Sequence, residues 1–186
     1  KDSLITKYIS YMSQNSESPI QYHFAAILSG ISVCLGRKAS FHLGSHILFP
    51  NAYILVIGES GITRKSSSAR PILKILRSIN ENYLLSPNLS KESLIQNFNY
   101  CNTRYLFLDE IKMLFETASK NYAQGIISDI TYIHECPPVI KSEFKKDYDK
   151  DGLKETSRAE WPFLSIYALT TNEWLSVTDS HIRGGF

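Results

Sequence analysis

Short apolar runs alternate with segments of helical periodicity along the chain. Three runs are continuous enough for strands buried on both faces, and they span residues 51–57, 105–108 and 163–169. Apolar residues at three- and four-residue spacing predict helices between them, most clearly at about residues 65–79. Strands that alternate with helices predict an α/β fold with a parallel sheet flanked by helices.

The first 38 residues are predicted to form a helical segment ahead of a core at residues 39–186. Ser18 and Pro19 predict the start of its longer helix, with Ser18 as the N-cap and Pro19 at the first helical position. This helix is apolar on most faces, but polar residues interrupt it. We therefore expect a buried helix and no membrane span.

Composition narrows the class of protein. With 186 residues and 43% hydrophobic residues, the chain can form one domain with a substantial core. Its three cysteines are far apart and predict no disulfide framework, which favours a cytoplasmic location. A net charge of +2 excludes a basic protein that binds nucleic acid over its whole surface, but it allows a local basic patch. We interpret the chain as a fragment whose core is truncated at the C-terminal end.

The loop after the first buried strand predicts phosphate binding, because N–H groups at a helix start can bind phosphate oxygens. Lys65 would add positive charge at the β- and γ-phosphates, and Ser66 would offer its hydroxyl to Mg²⁺. The loop departs from the usual G-x-x-x-x-G-K-[ST] pattern, since Arg64 replaces a glycine and Gly58 comes one place early. An ordinary strand–turn–helix is the alternative. The candidate nucleotide-binding residues are Gly58, Ser60, Gly61, Ile62, Thr63, Arg64, Lys65, Ser66 and Ser67.

Polar residues also follow the second and third buried strands. Asp109 is a candidate Mg²⁺ ligand, usually through water, and Glu110 is a candidate base that accepts a proton from the attacking water. Their strand is expected beside the phosphate-loop strand or one removed. Asn172 ends the Thr-Thr-Asn motif and is the candidate that orients this water. Each group could instead cap a helix.

A charged segment at residues 141–160 lies between the second and third buried strands. Its basic side chains could follow the phosphates of single-stranded DNA. Acidic residues offset them, so a solvated loop is the alternative. The basic residues are Lys141, Lys145, Lys146, Lys150, Lys154 and Arg158.

From about Gln21 to Phe186, the chain resembles a helicase-like P-loop ATPase family of phage, plasmid and mobile-element proteins, whose members often follow a primase module. The likeness is carried by YHFAAILSGISVCLGRK, the loop with Arg-Lys-Ser, RYLFLDE, FLSIYALTTNEWL and IRGGF. The resemblance implies a RecA-like or AAA-like core, ATP, Mg²⁺ and a homo-oligomeric ring around DNA. The family's arginine after the final Gly-Phe would lie beyond Phe186, so Arg183 is the candidate arginine finger.

The expected function is therefore that of an ATP-hydrolysing, DNA-acting motor domain in a replication or mobile-element protein. Two alternatives remain at this point. One is a recombinase- or loader-type DNA-dependent ATPase. The other is a nucleotide-binding switch or scaffold that does not hydrolyse its ligand.

Overall fold

The computed structural model describes residues 3–118, 125–145 and 154–177. Two helices open this part of the chain, α1 (Leu4–Asn15) and α2 (Ile20–Leu35). The remaining elements, in chain order, are β1 (Phe41–Leu43), β2 (His46–Leu48), β3 (Tyr53–Ile57), α3 (Lys65–Ile79), β4 (Leu84–Leu85), α4 (Lys91–Tyr100), β5 (Thr103–Leu108), α5 (Lys112–Ala118), α6 (Ile126–His134), β6 (Val139–Lys145), β7 (Lys154–Glu160), β8 (Phe163–Thr170) and α7 (Asn172–Val177).

Four strands form a parallel sheet in the order β3-β8-β5-β4. The α/β fold with a parallel sheet and flanking helices is thereby confirmed. All eight residues of β8 are buried, because this strand lies between β3 and β5 and both of its faces are covered. Strand β5, which Asp109 follows, is therefore one strand removed from β3, which is one of the two expected positions.

Alternation along the strands divides the core between the two faces of the sheet. Tyr105, Tyr167 and Leu169 pack against α2 and α3 on one face. Leu106 and Ile166 pack on the other face against the apolar sides of α4 and α6. Because α2 contributes to the same hydrophobic cluster as the sheet, the N-terminal helices pack directly on the predicted core.

Buried hydroxyl groups add specific contacts between α2 and the sheet. The Ser29 Oγ atom lies 2.9 Å from the Tyr105 hydroxyl, and the Tyr167 hydroxyl donates to the Tyr22 carbonyl at 3.1 Å. Burial raises the pKa of Tyr167, so its phenol stays protonated and remains a donor. These contacts satisfy polar groups that would otherwise be costly to bury.

The start of α2 differs from the prediction. Pro19 is the N-cap of this helix, and it makes no side-chain capping hydrogen bond. The Ser18 hydroxyl instead donates to the Arg64 carbonyl at 2.6 Å. The prediction of Ser18 as N-cap was therefore wrong, because its hydroxyl found a tertiary acceptor 46 residues away in the sequence.

Two hairpins complete the fold. Strands β1 and β2 pair only with each other, apart from the four-stranded sheet. Strands β6 and β7 form an antiparallel hairpin from the charged segment, and they contact α4. Among the helices that the structure describes, none is long and apolar enough to cross a membrane.

The buried imidazole of His23 predicts that acid destabilises the fold. Burial lowers the pKa of His23 from its usual 6.5, so the neutral form is favoured in the folded state. Its contribution to stability is present above pH 6.5 and is lost as the pH falls through the lowered value. We expect the urea midpoint to fall between pH 7 and pH 5 by more in the parent than in His23→Gln. An exposed control, His42→Gln, should keep the parent's pH dependence. An equal fall of the urea midpoint in the parent and in His23→Gln would contradict the prediction.

Candidate functional site

The carboxyl ends of β3, β5 and β8 border one cleft of about 420 Å³. This is the edge of a parallel α/β sheet where ligands bind. Backbone hydrogen bonds hold the three strand ends together, from Gly58 N to Thr170 O at 3.2 Å and from Ile111 N to Leu169 O at 2.9 Å. The lining residues are Glu59, Ser60, Gly61, Arg64, Lys65, Ser66, Ser67, Asp109, Glu110, Thr170 and Thr171.

The loop at residues 58–64 joins β3 to α3 and contains two residues with positive φ. Gly61 has φ 76°, and Arg64, the N-cap of α3, has φ 45° and ψ 43°. For a residue with a Cβ, this left-handed conformation costs about 1–2 kcal/mol. Arg64 is thus the residue that departs from the usual phosphate-loop pattern, and it stands where the backbone favours glycine.

Lys65 begins α3 and folds back over the start of the loop. Its Nζ atom donates to the Gly58 carbonyl and, at 3.2 Å, to the Glu59 carbonyl. These contacts hold the ammonium group beside the loop, at the positive end of the helix dipole. A cation at that place would attract an anion in the cleft.

The two predicted magnesium ligands are in direct contact. The Ser66 hydroxyl donates to Asp109 Oδ1, which links the first turn of α3 to the end of β5. Hydroxyl and carboxylate oxygens are the donors that Mg²⁺ prefers, usually with few protein ligands and several from phosphate or water. The described residues contain no cluster of three or more His, Cys, Asp or Glu side chains suited to a metal.

The third strand end places a different residue in the cleft from the one predicted. Asn172 is exposed at the first position of α7 and does not line the cleft. Thr170 does line it, with 2% of its surface exposed, and its Oγ1 atom has no hydrogen-bond partner within the described structure. A buried, unpartnered hydroxyl beside a cleft is a ready donor or acceptor for a ligand. Sequence reasoning passed over Thr170 because its burial depends on β8 being central.

The structure places the other predicted residues as follows. Glu110 is exposed and lines the cleft. Six of the nine candidate nucleotide-binding residues line it, whereas Gly58, Ile62 and Thr63 belong to the same loop without lining it. Arg183, Lys146 and Lys150 lie outside the described residues.

Tyr22 of α2 and Ser18, which precedes that helix, support the two ends of the loop, and sequence reasoning missed both contacts. The Tyr22 hydroxyl donates to the Ile57 carbonyl at 2.9 Å, and Ser18 donates to the Arg64 carbonyl. A Cβ atom added to Gly58 would lie 2.5 Å from the Tyr22 hydroxyl. The absence of a side chain at Gly58 therefore lets the Tyr22 hydroxyl lie close to the backbone of the loop. No local sequence pattern predicts these hydrogen bonds, because the donor and acceptor residues are 35 and 46 positions apart.

The β6–β7 hairpin places like charges opposite each other. Lys141 pairs with Arg158 in the ladder, and Lys145 pairs with Lys154. Arg158 also forms a 2.8 Å ion pair with Glu160. Like charges directly opposite on a ladder are destabilising without a counter-charge.

Comparisons with known proteins do not identify a family. Scans against protein-family models, curated proteins and solved structures find no match to this chain.

The tight contact at Gly58 predicts coupling between this residue and Tyr22. Gly58→Ala should lower the free energy of unfolding by about 1–3 kcal/mol, because the new methyl group meets the Tyr22 hydroxyl. Adding Tyr22→Phe, which alone should cost about 1 kcal/mol, is expected to recover part of that loss. Urea denaturation of the four proteins in this cycle measures the coupling. Tyr8→Phe is the matched control and should be additive with Gly58→Ala, and additivity for Tyr22→Phe as well would contradict the prediction.

Proposed function

We propose that this chain is an ATP-hydrolysing, DNA-acting motor domain of the helicase type. The observation that carries the proposal is the hydrogen bond from Ser66 to Asp109, in a cleft that Lys65 and Glu110 also line. These residues come from two motifs 43 positions apart that were expected to serve one magnesium nucleotide.

The lining of the cleft suits a nucleotide bound with a divalent cation. The charged residues that line the cleft are three acids and two bases, and they are Glu59, Asp109, Glu110, Arg64 and Lys65. A bare triphosphate would meet net repulsion there, so we expect binding to depend on Mg²⁺. Ser66 and Asp109 would hold Mg²⁺, which when bound neutralises phosphate charge and polarises the phosphoryl group.

The protein groups can then act on the phosphate chain and the attacking water. Lys65 would leave the loop carbonyls and stabilise the negative charge that develops during phosphoryl transfer. Glu110 would accept the proton of the attacking water. The unpartnered hydroxyl of Thr170 is a second candidate, beside Asn172, for orienting that water.

The β6–β7 hairpin is the proposed DNA contact. Lys141 and Arg158 face each other in its ladder, and the phosphates of single-stranded DNA would add counter-charge to this pair beyond that of Glu160. Ring assembly and the use of Arg183 as an arginine finger belong to the same proposal.

Single substitutions in the cleft should separate nucleotide binding from hydrolysis. We expect Lys65→Ala to weaken Mg-ATP binding, and Glu110→Gln to lower turnover by about 10²–10⁴-fold while binding persists. Thr170→Val should lower turnover more than Asn172→Ala does, because only Thr170 lines the cleft. Calorimetric affinity and DNA-stimulated phosphate release measure the two steps.

Two exposed residues outside the cleft, Lys74 and Glu81, provide the matched controls Lys74→Ala and Glu81→Gln. Both should leave binding and turnover at the parent's level. Parent protein that binds Mg-ATP without turnover, alone or with DNA, would favour the non-hydrolysing switch. Binding that is unaffected by Lys65→Ala would contradict the site.

The proposed DNA contact predicts a salt-dependent affinity. Lys141→Gln with Arg158→Gln should weaken single-stranded DNA binding and reduce the slope of log K against log salt, by about 0.7 for each phosphate that the hairpin no longer neutralises. Fluorescence anisotropy over a salt series measures both effects. Lys74→Gln with Arg77→Gln removes the same charge from the exposed side of α3, and an equal loss of affinity in this control pair would contradict a specific contact at the hairpin.

A further inference from the structure

The turn between α1 and α2 makes two polar contacts with Arg64, the last residue of the loop before α3. This turn, residues 16–18, is called the elbow below. A Glu17 carboxylate oxygen lies 2.6 Å from Arg64 Nε, and the Ser18 hydroxyl donates to the Arg64 carbonyl at 2.6 Å. The elbow therefore holds both the side chain and the backbone of the residue that precedes α3.

The elbow is itself anchored to the helix that follows it. The Ser16 Oγ atom accepts from Ser18 N at 3.2 Å and lies 2.8 Å from His23 Nε2. His23 is fully buried. Ser16 and Ser18, the residues on either side of Glu17, are thus both held by hydrogen bonds, and Glu17 extends toward Arg64 from between them.

Arg64 retains donors beyond the one that faces Glu17. The ion pair uses Nε, and a guanidinium carries four further N–H groups on its two Nη atoms. Arg64 lines the cleft, and a planar guanidinium matches the geometry of phosphate oxygens. The arrangement can therefore form a chain of contacts from Glu17 through Arg64 to an anion in the cleft.

The ion pair between Glu17 and Arg64 contributes little to the stability of the fold. The side chains of Arg64 and Glu17 are 59% and 73% exposed, and pairs of this kind stabilise a fold only weakly. Arg64 also adopts a left-handed backbone that most residues avoid. Strained backbone of this kind persists where surrounding contacts over-determine it, and it clusters at ligand sites.

We propose that Glu17 is a positioning residue that holds the Arg64 guanidinium at the cleft, where its remaining N–H groups bind the phosphate chain of the nucleotide. This inference rests on the proposed function. It implies that ligand occupancy and the position of the elbow are coupled, and this coupling acts in both directions.

A double-mutant cycle on ligand affinity tests the role of Glu17. The dissociation constants of Mg-ATP and Mg-tripolyphosphate are measured for the parent, Glu17→Ala, Arg64→Ala and the double variant. We expect Glu17→Ala to weaken both ligands about fivefold in the parent and to have no further effect once Arg64 is Ala. Glu17→Gln keeps an acceptor oxygen for Nε and should lose less than Glu17→Ala.

The control is Glu116→Ala, which removes the glutamate of another exposed ion pair, the one with Lys112, and should leave both affinities unchanged. The ligand-free unfolding midpoint of Glu17→Ala should stay at the parent's value, which separates positioning from a structural role. Three outcomes would overturn the inference: unchanged or tighter binding in Glu17→Ala, the same loss in the Arg64→Ala background, or a loss for ATP without one for tripolyphosphate.

The failures of the two proposals are distinguishable. Binding that requires Lys65 but not Glu17 overturns the role of Glu17 and leaves the proposed function standing. Absence of Mg-ATP binding in the parent overturns both.

Discussion

The parallel pairing of β8 with both β3 and β5 is the constraint on which the rest of the structure depends. Because β8 lies between those strands and is buried throughout, the three carboxyl ends meet at one edge of the sheet. The Ser66 side chain can then contact Asp109, and Thr170, the last residue of β8, lines the same cleft. If β5 or β8 ran antiparallel to β3, its carboxyl end would lie at the opposite edge of the sheet, and the motifs would not share a cleft.

The N-terminal helices participate in this arrangement. Helix α2 covers one face of the sheet with apolar side chains, and its hydroxyl contacts reach the loop that leaves β3. Tyr22 supports the start of the loop and Ser18 its end, while Glu17 contacts the side chain of Arg64. A loop with a left-handed arginine is thereby held from outside, which is how a strained backbone conformation persists in a folded protein.

Local patterns predicted the main elements well. Helix α3 occupies residues 65–79 as the periodicity indicated, because its apolar positions follow the helical repeat over four turns. Strands β3, β5 and β8 were found because buried strands are continuous apolar runs bounded by turn residues. Ser18 was assigned wrongly because a serine before Pro satisfies the capping pattern, whereas its hydroxyl bonds to a carbonyl that only the folded chain brings near. The polar strand end after β8 was recognised and Asn172 was chosen from it, but only the position of the cleft shows that Thr170 lines it.

The sequence by itself determined the α/β class, the order of the strands along the chain and the residues that carry the candidate chemistry. These properties follow from hydrophobic period, turn residues and short motifs, all of which act over a few neighbouring positions. Only the tertiary structure decided the order of the strands in the sheet, the burial of the Thr170 hydroxyl and the contacts of the elbow with Arg64. Those features depend on groups separated by tens of residues, and such groups meet only when the whole core packs.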